Sequence, residues 1–228
     1  MDVKESYFMN YLEGLILSIP GVIVGFSMHE FGHALAAHKL GDPTPEREGR
    51  LTISPRAHID PLGLLMLIFV HFGWAKPVNT NPRFFKNPRR DSLIVSLAGP
   101  LMNLAVAVLF ALIVKGFIIS PIPPLIGFAV FRIIFNILVA TVGMNILLLI
   151  FNLLPLAPLD GFAVLASLVP DRHYSKIDFL AKHGQMILMV LIISSVIGLP
   201  ILSYIISIPQ GIVIGVISLI FNVPLNYI

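Results

Sequence analysis

Residues 29 to 33 read His29-Glu30-Phe31-Gly32-His33, an H-E-x-x-H sequence. On a helix, residues four apart share a face. His29 and His33 therefore project together and can offer two imidazole nitrogens to one zinc ion, Zn2+. Glu30 stands beside them, is not needed as a ligand, and has the chemistry of a general base toward a metal-activated water. Such a pattern also arises by chance on soluble helices, so its setting decides its weight. It interrupts an apolar run from Leu12 to Leu40 whose only other charge before Lys39 is Glu13. Ionisable groups inside a stretch of that length are expensive in a bilayer and mark function.

Catalytic zinc takes three protein ligands and keeps one position open. The chain has no cysteine, so the third ligand must come from histidine or a carboxylate, and disulfides and thiol nucleophiles are excluded. Between Ser92 and Pro170 the only charged residues are Lys115, Arg132 and Asp160. Asp160 is the best third ligand, being an otherwise uncompensated carboxylate in apolar surroundings. The competing reading makes it a helix cap or the partner of Arg132. Among the other histidines, His71 reads as a packing or interfacial residue. His38, His58, His173 and His183 lie near charged loops and read as solvated, at spacings that leave no second metal site.

These residues must be positioned by membrane segments. Of the 228 residues, 57% are hydrophobic and only 12% are charged, against about a quarter charged in soluble domains. Mean hydropathy is +0.92. The expected fold is an all-α polytopic membrane protein with about five or six transmembrane or re-entrant segments. Residues 1–228 form one integral-membrane domain, with a catalytic core over about 12–170 and C-terminal membrane segments over 184–228. The pI near 9.3 reflects loop Lys and Arg and points to topology and lipid headgroups, not nucleic acid. The first apolar run carries the metal motif, so it is expected to be retained and not cleaved as a signal peptide.

Along the chain, Met1–Tyr11 reads as a short polar start and Leu12–His38 as the first span. Arg50-Leu51-Thr52-Ile53-Ser54 alternates like a short strand, a small membrane-associated β element near residues 50–54. It could pair with an unwound substrate or be a structural hairpin. Pro61–Trp74 is apolar but too short to cross and suits a re-entrant segment. Leu93–Phe117 and Leu125–Phe151 read as spans, joined by a turn over Ile118–Pro124 with three prolines. Arg132 inside the second of them reads as facing a neighbour or snorkelling. Pro155 and Pro158 break the helix before Asp160, and irregular backbone at membrane depth has to line a cavity or be buried in protein. Gly184–Ile208 reads as a further span, and Gln210–Ile228 as a final short span or interfacial segment.

The spacing of His29–His33 and of Asn152-x-x-Pro155-x-x-x-x-Asp160-Gly161 resembles the site-2 proteases, intramembrane zinc metalloproteases that pair these two elements. Ala98-Gly99-Pro100-x-x-Asn103 is similar to a further piece of that family. Gly73-Trp74-Ala75-Lys76-Pro77-Val78 is similar to its short branch without PDZ or CBS domains. The resemblance covers roughly residues 12–170. It implies one Zn2+ held by His29, His33 and Asp160, Glu30 as general base, and Asn152 orienting substrate or stabilising an oxyanion. The implied activity is endopeptidase cleavage of transmembrane or membrane-anchored substrate helices, as in regulated intramembrane proteolysis.

If His33 and Asp160 share a metal they lie at similar depth, which requires Pro61–Trp74 not to cross. The loops 41–61, 75–92 and 171–183 then share a side. That side carries Lys39, Arg47, Arg50 and Arg56, then Lys76, Arg83, Lys86, Arg89 and Arg90, then Arg172, Lys176 and Lys182, 12 of the 15 Lys and Arg. The positive-inside rule makes it cytosolic, giving a multi-pass cell-membrane protein whose active site opens toward the cytosol. Expected partners are the lipid bilayer and a substrate helix; a homo-oligomer is left open. A zinc or proton transporter would show repeats and several charged sites along a path, and this chain shows one cluster. A scaffold that had lost catalysis would typically lack the base, and Glu30 is present.

Overall fold

The computed structural model describes residues 3–70, 72–121 and 126–225, and every regular element among them is helical. The first helix, α1, runs Val3–Lys39, so the polar start joins the helix instead of preceding it. Short helices α2 (Thr44–Arg47), α3 (Pro55–His58) and α4 (Pro61–Val70) follow. Then come α5 (Pro88–Ile119), α6 (Phe128–Asn152), α7 (Asp160–Leu168), α8 (Asp178–Val196) and α9 (Ile201–Phe221). The expectation for His71 and part of the proline-rich turn, residues 122–125, lie outside the described residues.

Among the described residues, four helices are long and apolar enough to cross a membrane: Leu12–Lys39 of α1, then α5, α6 and α9. Helix α4 has 10 residues, about 15 Å of rise, half of a hydrocarbon core of about 30 Å. It does not cross. The Lys76 N–H donates to His58 O at 2.8 Å and Ile59 bridges Ala75, so the chain returns to where it left. Gly63 and Gly73 make the excursion possible: a Cβ on Gly63 would lie 2.1 Å from Trp74 O, and one on Gly73 2.3 Å from Gly63 O.

Two expectations are corrected. Residues 50–54 form no strand. Their bonds are local: Thr52 N–H donates to Arg50 O and Ser54 N–H to Thr52 Oγ1, and Pro55 opens α3. The polar–apolar alternation does not mark two faces here: Arg50 is buried while Ile53 is exposed. The C-terminal boundaries also move. The predicted span 184–208 is cut at 197–200, where Gly198 takes a φ of +88° and Pro200 lacks a donor. Helix α9 then continues through Pro209, which membrane helices tolerate.

Helix α5 starts cleanly because Asn87 accepts from the Arg90 N–H while Asp91 accepts from the Asn87 N–H, a reciprocal cap over Pro88 at the first helical position. Two packing regions result. One is apolar, where Ala107, Ala111 and Val114 of α5 meet Val139, Val142 and Ile146 of α6 and Ile214 and Ile217 of α9. The other lies where α1 crosses α5 and α6. Glycines permit that crossing: a Cβ on Gly21 would sit 2.7 Å from Thr141 Cα, and one on Gly32 2.7 Å from Ala98 O.

Candidate metal centre

His29 and His33 lie one turn apart on α1, both buried. Each ring is oriented from behind. His29 Nδ1 is 2.7 Å from Asn103 Oδ1, and Asn103 spends its amide hydrogens on Gly25 O and Asn145 Oδ1, both at 3.0 Å. Asn103 Oδ1 is therefore the acceptor and His29 Nδ1–H the donor. Asn145 in turn donates to Thr141 O, so a buried polar chain links α1, α5 and α6. His33 Nδ1–H donates to Val95 O at 2.7 Å. In their neutral form both imidazoles therefore present an unprotonated Nε2 on the opposite edge, the tautomer a metal requires.

Asp160 is the first residue of α7, after seven residues that leave α6. Gly161 allows the turn, since a Cβ there would meet Leu153 O at 2.3 Å. Asp160 Oδ2 lies 3.1 Å from His29 Nε2 and 3.3 Å from His33 Nε2, and the two Nε2 atoms are 3.1 Å apart. Oδ2 is buried and accepts no hydrogen bond. Three lone-pair atoms facing one another repel unless a cation sits among them. For zinc bonds of about 2.0–2.1 Å in tetrahedral geometry, ligand atoms lie about 3.3 Å apart, so this donor set fits a metal ion. Arg132 is not the partner of Asp160: it pairs with Glu13 at 3.2 Å.

Glu30 is buried, and its Oε2 accepts from the Val78 N–H at 2.8 Å. Among the described residues its Oε1 has no hydrogen-bond partner. Asn152 ends α6, and its side-chain amide donates to Leu148 O at 3.0 Å; no hydrogen bond joins it to the three-residue cluster.

Sequence reasoning missed two residues here. A Cβ on Gly99 would lie 2.4 Å from His33 Nε2 and 2.7 Å from His29 Cε1; the rings rest on bare backbone. Its place in the Ala98–Asn103 piece was the available signal. The second is Arg50, treated below. His58, expected to be solvated, is fully buried. Its Nε2 bonds Thr52 O at 2.6 Å, and burial pushes its pKa below the usual value, with nearby Arg50 adding to the effect.

The chain is 35% identical over 201 residues, 85% of its own length and 86% of the relative's, to the Bacillus subtilis protein named "Putative zinc metalloprotease YwhC". It is 36% identical over 161 residues, 68% of its length and 58% of the relative's, to "Putative zinc metalloprotease Rip2" of Mycobacterium tuberculosis. To the Mycolicibacterium smegmatis protein of that same name it is 31% identical over 193 residues, 82% of its length and 70% of the relative's. No family model and no solved structure matches it.

Proposed function

This chain belongs to the zinc metalloprotease family that includes YwhC, and from that premise we propose that it is an intramembrane endopeptidase of the site-2 type. Its substrates are transmembrane or membrane-anchored helices. The observation that carries this reading is the convergence of His29 Nε2, His33 Nε2 and Asp160 Oδ2 within 3.3 Å, beside Glu30, with both histidines and Glu30 on a helix of membrane-spanning length. These three residues would hold one zinc ion. When bound, zinc polarises a carbonyl and lowers the pKa of water toward about 7.

The protein's own groups do the rest. Val78 fixes one oxygen of Glu30, and the other is left to take the water proton and return it to the leaving amine. Asn103 and Val95 hold the imidazoles in the ligating tautomer. Asn152, at the mouth of the loop leading to Asp160, would turn its amide from Leu148 O to the substrate or its oxyanion. The substrate helix must unwind locally, because its carbonyls are otherwise shielded by intrahelical bonds.

The chain crosses the cell membrane several times with its active site toward the cytosol. Contacts between loops support a shared side: Asn81 N–H donates to Asp42 Oδ2, and Arg89 of α5 donates to Ser167 O just past Asp160 on α7. The Lys and Arg concentrated there favour the cytosol. Single cysteines at Thr44, Asn81 and Ser175 should all label from the cytosolic face; Asn81→Cys labelling from the opposite face would overturn this arrangement.

Purified protein should cleave tagged membrane-helix substrates. Glu30→Gln should lower the rate by about 100-fold or more while retaining zinc. Equal cleavage by both proteins would remove Glu30 from the mechanism. No cleavage of any membrane helix by the zinc-loaded wild type would overturn the intramembrane reading.

A further inference from the structure

Arg50 is only 4% exposed, yet among the described residues no carboxylate pairs with it. A buried guanidinium is costly unless its donors are satisfied; here both Nη atoms are bonded and, among the described residues, Nε has no partner. Here the acceptors are all main-chain carbonyls. Nη1 donates to Ala57 O, and Nη2 donates to Lys76 O and, at 3.0 Å, to Pro77 O. The left-handed turn at Gly49, with a φ of +66°, brings Arg50 to this position at the end of α2.

The Pro77 carbonyl belongs to the same planar peptide unit as the Val78 N–H. That N–H is the group that binds Glu30 Oε2. Arg50 and Glu30 therefore grip opposite edges of one rigid peptide. A cation on the carbonyl side fixes the orientation of the plane and polarises the N–H on the other side, since hydrogen bonds in series strengthen one another. Pro77 contributes no donor of its own, and the bridge at Ala75 is isolated, so no sheet ladder holds this stretch. Lys76 N–H on His58 O and Asn81 N–H on Asp42 tie it on either side. Among the described residues, Arg50 alone grips the two carbonyls immediately before Val78.

We propose that Arg50 is a positioning residue for the general base, acting through the Pro77–Val78 peptide to hold Glu30 against the metal centre. The role of Glu30 rests on the function proposed above. A lysine cannot substitute fully, because only the planar fork reaches carbonyls of two segments at once.

The test uses full-length protein and the variants Arg50→Met and Arg50→Lys, with exposed Arg56→Met as control. The readouts are kcat, KM, zinc content and amide exchange at 15N-labelled valines. Arg50→Met should lower kcat by about 10- to 100-fold, the scale of a displaced catalytic group, with KM and zinc unchanged. Arg50→Lys should recover part of that loss, and Arg56→Met should match wild type. Val78 exchange should speed up at least about tenfold in Arg50→Met while Val106 and Val142 stay protected. Unchanged Val78 exchange in both variants would overturn the proposal. So would slow valines all exchanging faster together, or kcat falling only as zinc is lost. If Arg50→Met does not fold, Arg50→Lys decides by the same readouts. A wild type that cleaves nothing would sink the protease reading, and the exchange data would still decide whether Arg50 holds Val78.

Discussion

Helices α5 and α6 take part in two regions built on opposite principles. Where they meet α9, the contacts are Ala, Val and Ile. Lipid tails are as apolar as these side chains, so van der Waals fit carries most of that region, beside one long bond from Gln210 Nε2 to Gly143 O. Where they meet α1, Gly, Asn, Thr and His join the apolar contacts, and a chain of hydrogen bonds runs between the helices. Asn103 is fully buried and satisfies His29, Gly25 O and Asn145 at once. Within this region, the donor atoms of His29, His33 and Asp160 face one another within 3.3 Å. The apolar region makes a fold; the polar region adds a donor set that fits a metal ion.

Substitutions should separate the two. The largest effect is expected from Gly99→Ala, whose new methyl would collide with both imidazoles. Zinc affinity should fall by more than about 100-fold and cleavage should be lost, measured by metal titration and substrate assay. Asn103→Ala removes the support behind His29 together with the bonds to Gly25 O and Asn145, and should weaken zinc by about 10- to 100-fold, the usual cost of losing such a partner. In the apolar region, Ile217→Ala should lower stability by about 2 kcal/mol, the low end for such truncations, and leave about one zinc per chain. If Ile217→Ala lost zinc as readily as Asn103→Ala, the division between the regions would collapse.

The smallest effect concerns pH. Burial lowers the pKa of His58, so the unfolded chain takes up the proton more readily. Its contribution to stability is complete above the ordinary value of about 6.5 and declines as pH falls below it. Thermal stability should drop between pH 7.5 and 5.5 by less in His58→Phe than in wild type.

The polar region was legible in the sequence for the reason that makes it costly. Charge and histidine inside apolar runs have few structural uses, so His29, Glu30, His33 and Asp160 stood out, and the structure brings the three donors together. What packs behind them was less visible. Gly99 has no side chain to announce a role, and Arg50 in a polar loop looks like any solvated arginine until the fold buries it. The C-terminal third was hardest to divide, because Gly184 to Ile228 is apolar throughout and carries prolines at 200, 209 and 224. Only backbone conformation at Gly198 distinguishes the break from the continuous helix.

Zinc content of the wild type and of Asp160→Ala, purified side by side under conditions that retain metal, tests the account most directly. About one zinc per wild-type chain and almost none in Asp160→Ala, at equal helical content, is the predicted result. A full zinc in Asp160→Ala would mean that α7 does not complete the site and that the metal, if held by α1, finds its third ligand elsewhere.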